Sequence, residues 1–589
     1  MKKIFVLTTM SLLTLFGWSQ TMNIHFKSGQ AEKHNMQTIE FIEFTETNDD
    51  EQESAAVLRL AQNEFLVSEK GGTITVEVIS NVDFDVDMPD AEWIHEVSST
   101  QEGSSHSICY VVSPNEANNS RSARIVYSDK NSNLQEILTV IQQGKMPSAT
   151  TVLHVDEAGT LGSFIAEDRR RSLTEIKITG NLNLSDIKVI DQMVSLQILD
   201  LSEAKIVGGD VYEYYFMPPG TYSSTIQKIR LEDNTILGAM LPSSVMYFYA
   251  PKTLKNIRGF HWGSHVISSF NSYVSENNSN TSRSRSKLKK INLQDSLTEI
   301  GTAAFAETSL EEVDLPDNIL NVANYAFFDC SLNHITFGSK LRSIGQYAFA
   351  YNKLSNINLP EGLEEVRKGA FYRCHNKNIY FPSTLKRVEE SAFGHTYNNL
   401  PDAISVYIPS LENWLTIDFA SENANPLYES NWEIETSLYV DNSLIQSLVI
   451  PHSFTGINNY AFAGCSSIQD VIIGDQVETI GEKAFYNCSN LSKLTIGDGV
   501  STIPSSTFKG CKSLEIVRLG KNVSSVSGAF SGTPCNEVHC LSTTPPSIST
   551  SDLKVNKETA KLYVPMGSYQ KYFLSNWGAI FSNIIEVNE

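Results

Sequence analysis

Two histidines stand four apart in His261-Trp-Gly-Ser-His265, the spacing at which one helix face offers two imidazoles to a metal ion. Gly263 between them opposes a helix and no acidic partner follows, so no metal site is expected. Asp83, Asp85 and Asp87 alternate along a strand-like run. They could gather calcium, but a charged row is equally how an edge strand is kept soluble. Eight cysteines offer thiol chemistry. Five of them, Cys330, Cys374, Cys465, Cys488 and Cys511, each follow a phenylalanine by three residues, which marks them as small buried fillers, expected as stacked free thiols. Cys535 and Cys540 are the disulfide candidates. The chain lacks a Cys-x-x-Cys pair, a phosphate loop, a Gly-x-Ser-x-Gly elbow and paired carboxylates, so neither catalytic residues nor a cofactor are expected.

The elements that would position any such group announce themselves by repetition. Ala304-Phe305, Ala326-Phe327, Ala348-Phe349, Ala370-Phe371 and Ala392-Phe393 recur every 22 residues. The dipeptide returns at Ala461-Phe462 and Ala484-Phe485, becomes Thr507-Phe508, and ends at Ala529-Phe530. A period of this length means a solenoid whose units bury their apolar faces only against neighbours. The gap from Phe393 to Phe462 has room for three units, so the register is expected to persist there. Each unit opens with a strand of the form Leu-x-x-Ile-x-Leu, as in Leu310-Glu-Glu-Val-Asp-Leu-Pro316, and the Pro ends it because it cannot donate to a ladder. Gly301, Gly345 and Gly481 are expected to allow a tight bend.

The pattern Ile-Gly-x-x-Ala-Phe-x-x-Cys-x-x-Leu, complete at 480–491 and nearly so at 300–310, 344–354, 457–468 and 503–514, resembles the BspA-like leucine-rich repeats of Bacteroidetes surface proteins. The resemblance implies a curved solenoid with a parallel β-sheet on its concave face, and adhesion by analogy. Residues flanking the central Ile of each strand then face outward. Among them His334, Thr336, Asn356, Asn358, Asn378 and Tyr380 are the candidate ligand-binding residues.

Residues 55–145 carry short alternating runs, such as Thr73-Ile-Thr-Val-Glu-Val-Ile, separated by turn residues. They indicate an immunoglobulin-like β-sandwich. Phe84-Asp-Val, Trp93-Ile94, Asn119 to Ile125 and Val140-Ile-Gln-Gln-Gly144 resemble the BACON domain. That family name implies carbohydrate binding, yet a lone Trp in a strand favours a core role for Trp93. The expected chain is mainly β. It comprises a signal peptide (1–20), a short leader and acidic linker (21–54), the sandwich (55–145), divergent repeats (149–286), regular repeats (287–541, diverged at 394–450) and a C-terminal cap (542–589).

Lys2-Lys3 followed by Ile4 to Phe16 gives the signal peptide its charge and apolar core. No Cys follows at a lipid-anchor position and no later stretch is apolar enough to span a bilayer, so export to the cell surface or medium is expected. The net charge of -22 disfavours nucleic acid or an anionic membrane as a partner. The expected partner is a host, bacterial or matrix protein, with a glycan as the alternative; an enzyme hidden in the aromatic loops of 205–286 is the remaining class.

Overall fold

In the computed structural model the described residues are 21–25, 31–35, 56–117, 120–132, 134–212, 228–237, 242–258, 286–395, 401–428 and 434–588. The expected signal peptide and acidic linker, the His261/His265 pair, Asn119 and most of the aromatic loops lie outside them. The chain divides into two units, Met1–Gln143 and Gly144–Glu589.

The first unit holds two four-stranded sheets. One orders Glu64–Val67, Gln135–Gln142, Arg121–Asp129 and Phe84–Asp87; the other orders Leu58–Leu60, Gly72–Ser80, Ser105–Val112 and Ile94–Glu102. Alternate residues point inward, so Val76, Val78, Tyr110, Ile125, Tyr127, Leu138 and Val140 form one core. At its centre the Tyr110 and Tyr127 hydroxyls, one from each sheet, share a 2.8 Å hydrogen bond. Burial pushes Tyr110 up to about 12 and Tyr127 higher still, so both stay neutral.

The second unit is a solenoid with one continuous apolar core. Successive coils pair in register through parallel strands, for example Glu312–Asp314 with His334–Thr336 and Asn356–Asn358 with Asn378–Tyr380. A second ladder of two-residue strands runs beside it: Glu299–Ile300, Asn321–Val322, Ser343–Ile344, Glu365–Val366, Arg387–Val388 and Asp418–Phe419. The Ala-Phe turn forms a third. Phe305, Phe327 and Phe349 each donate their N–H to the alanine carbonyl of the next coil at 2.8 Å. Their rings stack into a column, with centroids 5.2 to 5.4 Å apart from Phe305 to Phe393 and a second run from Phe462 to Phe530.

The third ladder requires an unusual backbone. The residue before each Ala-Phe or Thr-Phe pair has positive φ whatever its type: Ala303, Tyr325, Tyr347, Ser391, Tyr460, Lys483 and Ser506, with glycine only at Gly369 and Gly528. The left-handed region costs a non-glycine residue roughly 1–2 kcal/mol, and the inter-coil hydrogen bonds on either side of it offset that cost. The repeat glycines act differently from expectation. Gly345 and Gly481 do not have positive φ; a Cβ on Gly481 would lie 2.3 Å from the Asn459 nitrogen, and one on Gly345 2.7 Å from the Ala323 carbonyl carbon. They permit close approach of the preceding coil rather than a bend.

The divergent N-terminal repeats also differ in detail. Val152–Val155, Glu175–Leu182, Ile198–Asp200, Tyr247–Tyr249 and Lys290–Asn292 make the parallel strand sheet. The run ending Lys228–Leu231 instead forms an antiparallel hairpin with Gly209–Tyr212, and Asn256–Arg258 belongs to the two-residue ladder. A buried carboxylate anchors this end: Asp186 accepts N–H bonds from Gly159, Leu161 and Asn183 at 2.6 to 2.9 Å.

Candidate functional site

The cysteines are structural. Cys330, Cys374, Cys488 and Cys511 each donate the thiol S–H to the carbonyl of the preceding coil's phenylalanine, at 3.0 to 3.4 Å. Asn352 and Thr533 hold the same register position and make the same bond, to Phe327 and Phe508. The position therefore selects a small donor, not merely a filler, and the alternation of Cys, Asn and Thr at one register is the sequence signal for it. The bridge considered for Cys535 and Cys540 is not formed. Both are buried free thiols, and Cys535 donates to the Glu515 and Glu537 carbonyls instead. Burial pushes Cys374, Cys511 and Cys535 up to about 12, so thiolates are absent at neutral pH. Ellman's reagent should therefore reach at most Cys109 in the native chain and all eight cysteines in non-reducing denaturant. Six in denaturant would mean a bridge.

Among the described residues no cluster of His, Cys, Asp or Glu is arranged to hold a metal ion. Asp85 and Asp87 project from the edge strand Phe84–Asp87, Asp83 immediately precedes it, and Asp85 pairs with Lys130 at 3.4 Å. Trp93 is half-buried against the sandwich core, and the Arg121 guanidinium covers its ring at 4.5 Å. Arg121 is itself fixed by Gln142 and the carbonyls of Ser113 and Pro114, so that ring face is closed to a ligand.

The strand face of the solenoid is where side chains gather. Asn356–Asn358, Asn378–Tyr380, Ala403–Ile408 and Glu435–Val440 are consecutive parallel strands. Ile357, Ile379, Val406 and Leu438 point into the core. Two rows face out. One aligns Asn356, Asn378, Ser405 and Ser437; the other aligns Asn358, Tyr380, Tyr407 and Tyr439. Asn378 donates to the Asn356 carboxamide oxygen at 2.7 Å. The tyrosine rings stack, Tyr380 on Tyr407 at 4.4 Å and Tyr407 on Tyr439 at 4.7 Å. None of these eight positions is charged. Toward the N-terminus His334 and Thr336 continue the same rows, beside Glu312 and Asp314, and Thr336 donates to the Asp314 carboxylate at 2.5 Å. Farther back, Lys290 and Glu312 form an ion pair with little exposed surface. The six sequence candidates thus lie on one face, whose aromatic part extends through Tyr407 and Tyr439. Those two escaped the sequence reading because their units are longer than the repeat.

The diverged unit does not hold three regular coils. Two long units place Ser405 and Ser437 on the strand face, and then Glu435–Val440 folds back antiparallel onto Ser443–Leu444. A new strand ladder starts at Ser447–Val449. Side chains fill the missing backbone contacts. The Trp414 indole N–H donates to the Ala461 carbonyl at 2.8 Å. Asn425 donates to the Tyr460 and Ala461 carbonyls, and Asn458 to those of Leu415 and Ile417.

This interruption coincides with a break in a family match. The BspA-type leucine-rich repeat region model fits residues 278–399 and 433–550, in six copies. These residues are BspA-type leucine-rich repeats. The BACON domain matches residues 81–143. Solved structures similar to this chain include a leucine-rich repeat protein from Bacteroides ovatus, 15% identical, covering 84% of this chain and 99% of its own, with a TM-score of 0.34. A leucine-rich cell surface protein from Faecalibacterium prausnitzii is 20% identical over 50% of this chain and 84% of its own, with a TM-score of 0.26. The pneumococcal vaccine antigen PcpA is 17% identical over 50% of this chain and 85% of its own, with a TM-score of 0.29. No curated protein matches the chain significantly. BspA-type repeats suggest a protein-binding or adhesion role, and no helix among the described residues is long and apolar enough to cross a membrane.

Proposed function

We propose that the chain is an exported, surface-displayed or secreted binding protein that engages a host, bacterial or matrix protein through the strand face centred on Tyr407. The observation that carries this reading is the uncharged window of Asn356, Asn358, Asn378, Tyr380, Ser405, Tyr407, Ser437 and Tyr439 in a chain of net charge -22. Depletion of charge with enrichment of tyrosine is the composition of a protein-interface centre. A solenoid supplies this as a broad rigid surface. The ring stacking supports a protein over a glycan. A sugar seats its C–H face on an open aromatic face, whereas these rings cover one another and present their edges and hydroxyls.

The test is binding of the chain from Thr21 onward to parallel arrays of matrix and cell-surface proteins and of glycans. Protein hits are expected, and Tyr407→Ala should weaken them by about tenfold or more. Hits confined to glycans would overturn the reading, as would protein hits indifferent to Tyr407.

A further inference from the structure

The C-terminal end of the solenoid presents features that the binding role leaves unused. Its last sheet ends at Asn583–Val587, which pairs in parallel with Lys561–Pro565 and, among the described residues, with no strand on its other side. The Val587 carbonyl accepts the Met566 N–H at 3.1 Å. Successive residues of such a strand bond to opposite neighbours, so Asn583, Ile585 and Val587 turn their backbone groups into the sheet. Ile584 and Glu586 turn theirs to the open edge. An open edge rich in β-branched residues is a template for another strand.

Beside this edge the surface is apolar. Met566, Tyr569, Phe573 and Leu574 are 58%, 42%, 53% and 74% exposed, one third of all the exposed large hydrophobic residues among the described ones. The Tyr569 and Phe573 rings stack at 5.8 Å along the helix Tyr569–Phe573. Tyr569 donates its N–H to the Glu586 carboxylate at 2.8 Å, which ties that helix to the edge strand.

Charge identifies the occupant. The whole chain carries -22, yet residues 542–589 balance Lys554, Lys557, Lys561 and Lys571 against Asp552, Glu558, Glu586 and Glu589. A second copy meets strong repulsion over most of the molecule and little here. An antiparallel pairing of two Asn583–Val587 strands is also self-complementary. It sets Ile585 against itself, Ile584 against Glu586 and Asn583 against Val587, with no like charges opposed.

We infer that this end is a homodimer interface, in which two copies pair Asn583–Val587 antiparallel about a two-fold axis at Ile585 and bring their Tyr569–Phe573 helices together. A two-fold contact uses the same patch on both partners, which is what a central self-paired residue provides. Sedimentation equilibrium of the chain from Thr21 onward, over the micromolar range, should give the mass of two chains with reversible dissociation on dilution. Ile585→Lys places two cations face to face on the axis and should yield a monomer with an unchanged circular dichroism spectrum and melt. Should that variant unfold, Leu574→Asp, at the most exposed position of the patch, gives the same reading without touching the strand. A monomeric parent chain throughout the range overturns the inference, and so does a dimer that survives both substitutions.

Discussion

Phe349→Ala should destabilise the solenoid by about 4 kcal/mol, within the range of aromatic-to-alanine changes in a closed core. Phe349 is fully buried and stacks between Phe327 and Phe371 at 5.3 and 5.4 Å, with Phe337 edge-on at 5.6 Å. Its loss removes contacts from both neighbouring coils at once. In a solenoid each coil is stabilised mainly by its neighbours, so the deficit concentrates around coils 327–371. Hydrogen exchange should accelerate there and leave the sandwich, residues 56–143, unchanged. A loss under 1 kcal/mol in denaturant melts, or exchange that rises evenly along the solenoid, would show that the phenylalanine column is not what couples the coils.

Trp414→Ala should cost more, about 5 kcal/mol, because two penalties add. The indole is buried against Phe381 and Phe419, with ring centroids 5.7 and 5.1 Å away. It also supplies the hydrogen bond to the Ala461 carbonyl. Removing it opens a cavity and takes away one of the two side-chain donors to that carbonyl, leaving Asn425 alone, where the solenoid changes from one strand ladder to the next. The expected denaturation profile splits in two, the coils before 400 and those after 445 unfolding separately. Trp414→Phe keeps most of the volume and loses only the donor, so it should cost about 1–3 kcal/mol and retain a single transition. Equal effects of the two substitutions would assign the stabilisation to the hydrogen bond alone; a single transition in Trp414→Ala would show that the junction is held by other contacts.

The phenylalanine column was legible in the sequence because one residue type recurs at one spacing, and a solenoid forces equivalent residues to stack. The strand face was legible for the same reason as far as Tyr380. Tyr407 and Tyr439 were not, because Asn378 pairs with Ser405 and Ser405 with Ser437, steps longer than the repeat. Trp414 gave no local sign of its role, since its acceptor lies 47 residues onward. The left-handed position before Ala-Phe was hidden for a different reason. Alanine, tyrosine, serine and lysine all occupy it, so no residue type marks it, and the hydrogen bonds that impose it come from the neighbouring coil. The register position three residues after the phenylalanine lay between these cases: its cysteines were evident, and its chemistry emerged only when Asn352 and Thr533 were seen making the same bond.

The most direct test of the binding role compares two charge insertions against a protein partner from the array. Ser405→Glu places a carboxylate in the middle of the uncharged window, beside Tyr407. Thr495→Glu places one on the strand face of the ladder that starts at Ser447–Val449, where Thr495 aligns with Arg518 and the adjacent row carries Asp470 and Lys493. Both sites are half-exposed, so neither change should unfold the chain. Ser405→Glu is predicted to abolish binding, with Thr495→Glu staying within a few-fold of the parent. Equal affinities for the two variants would contradict the account and move the binding site off the tyrosine face.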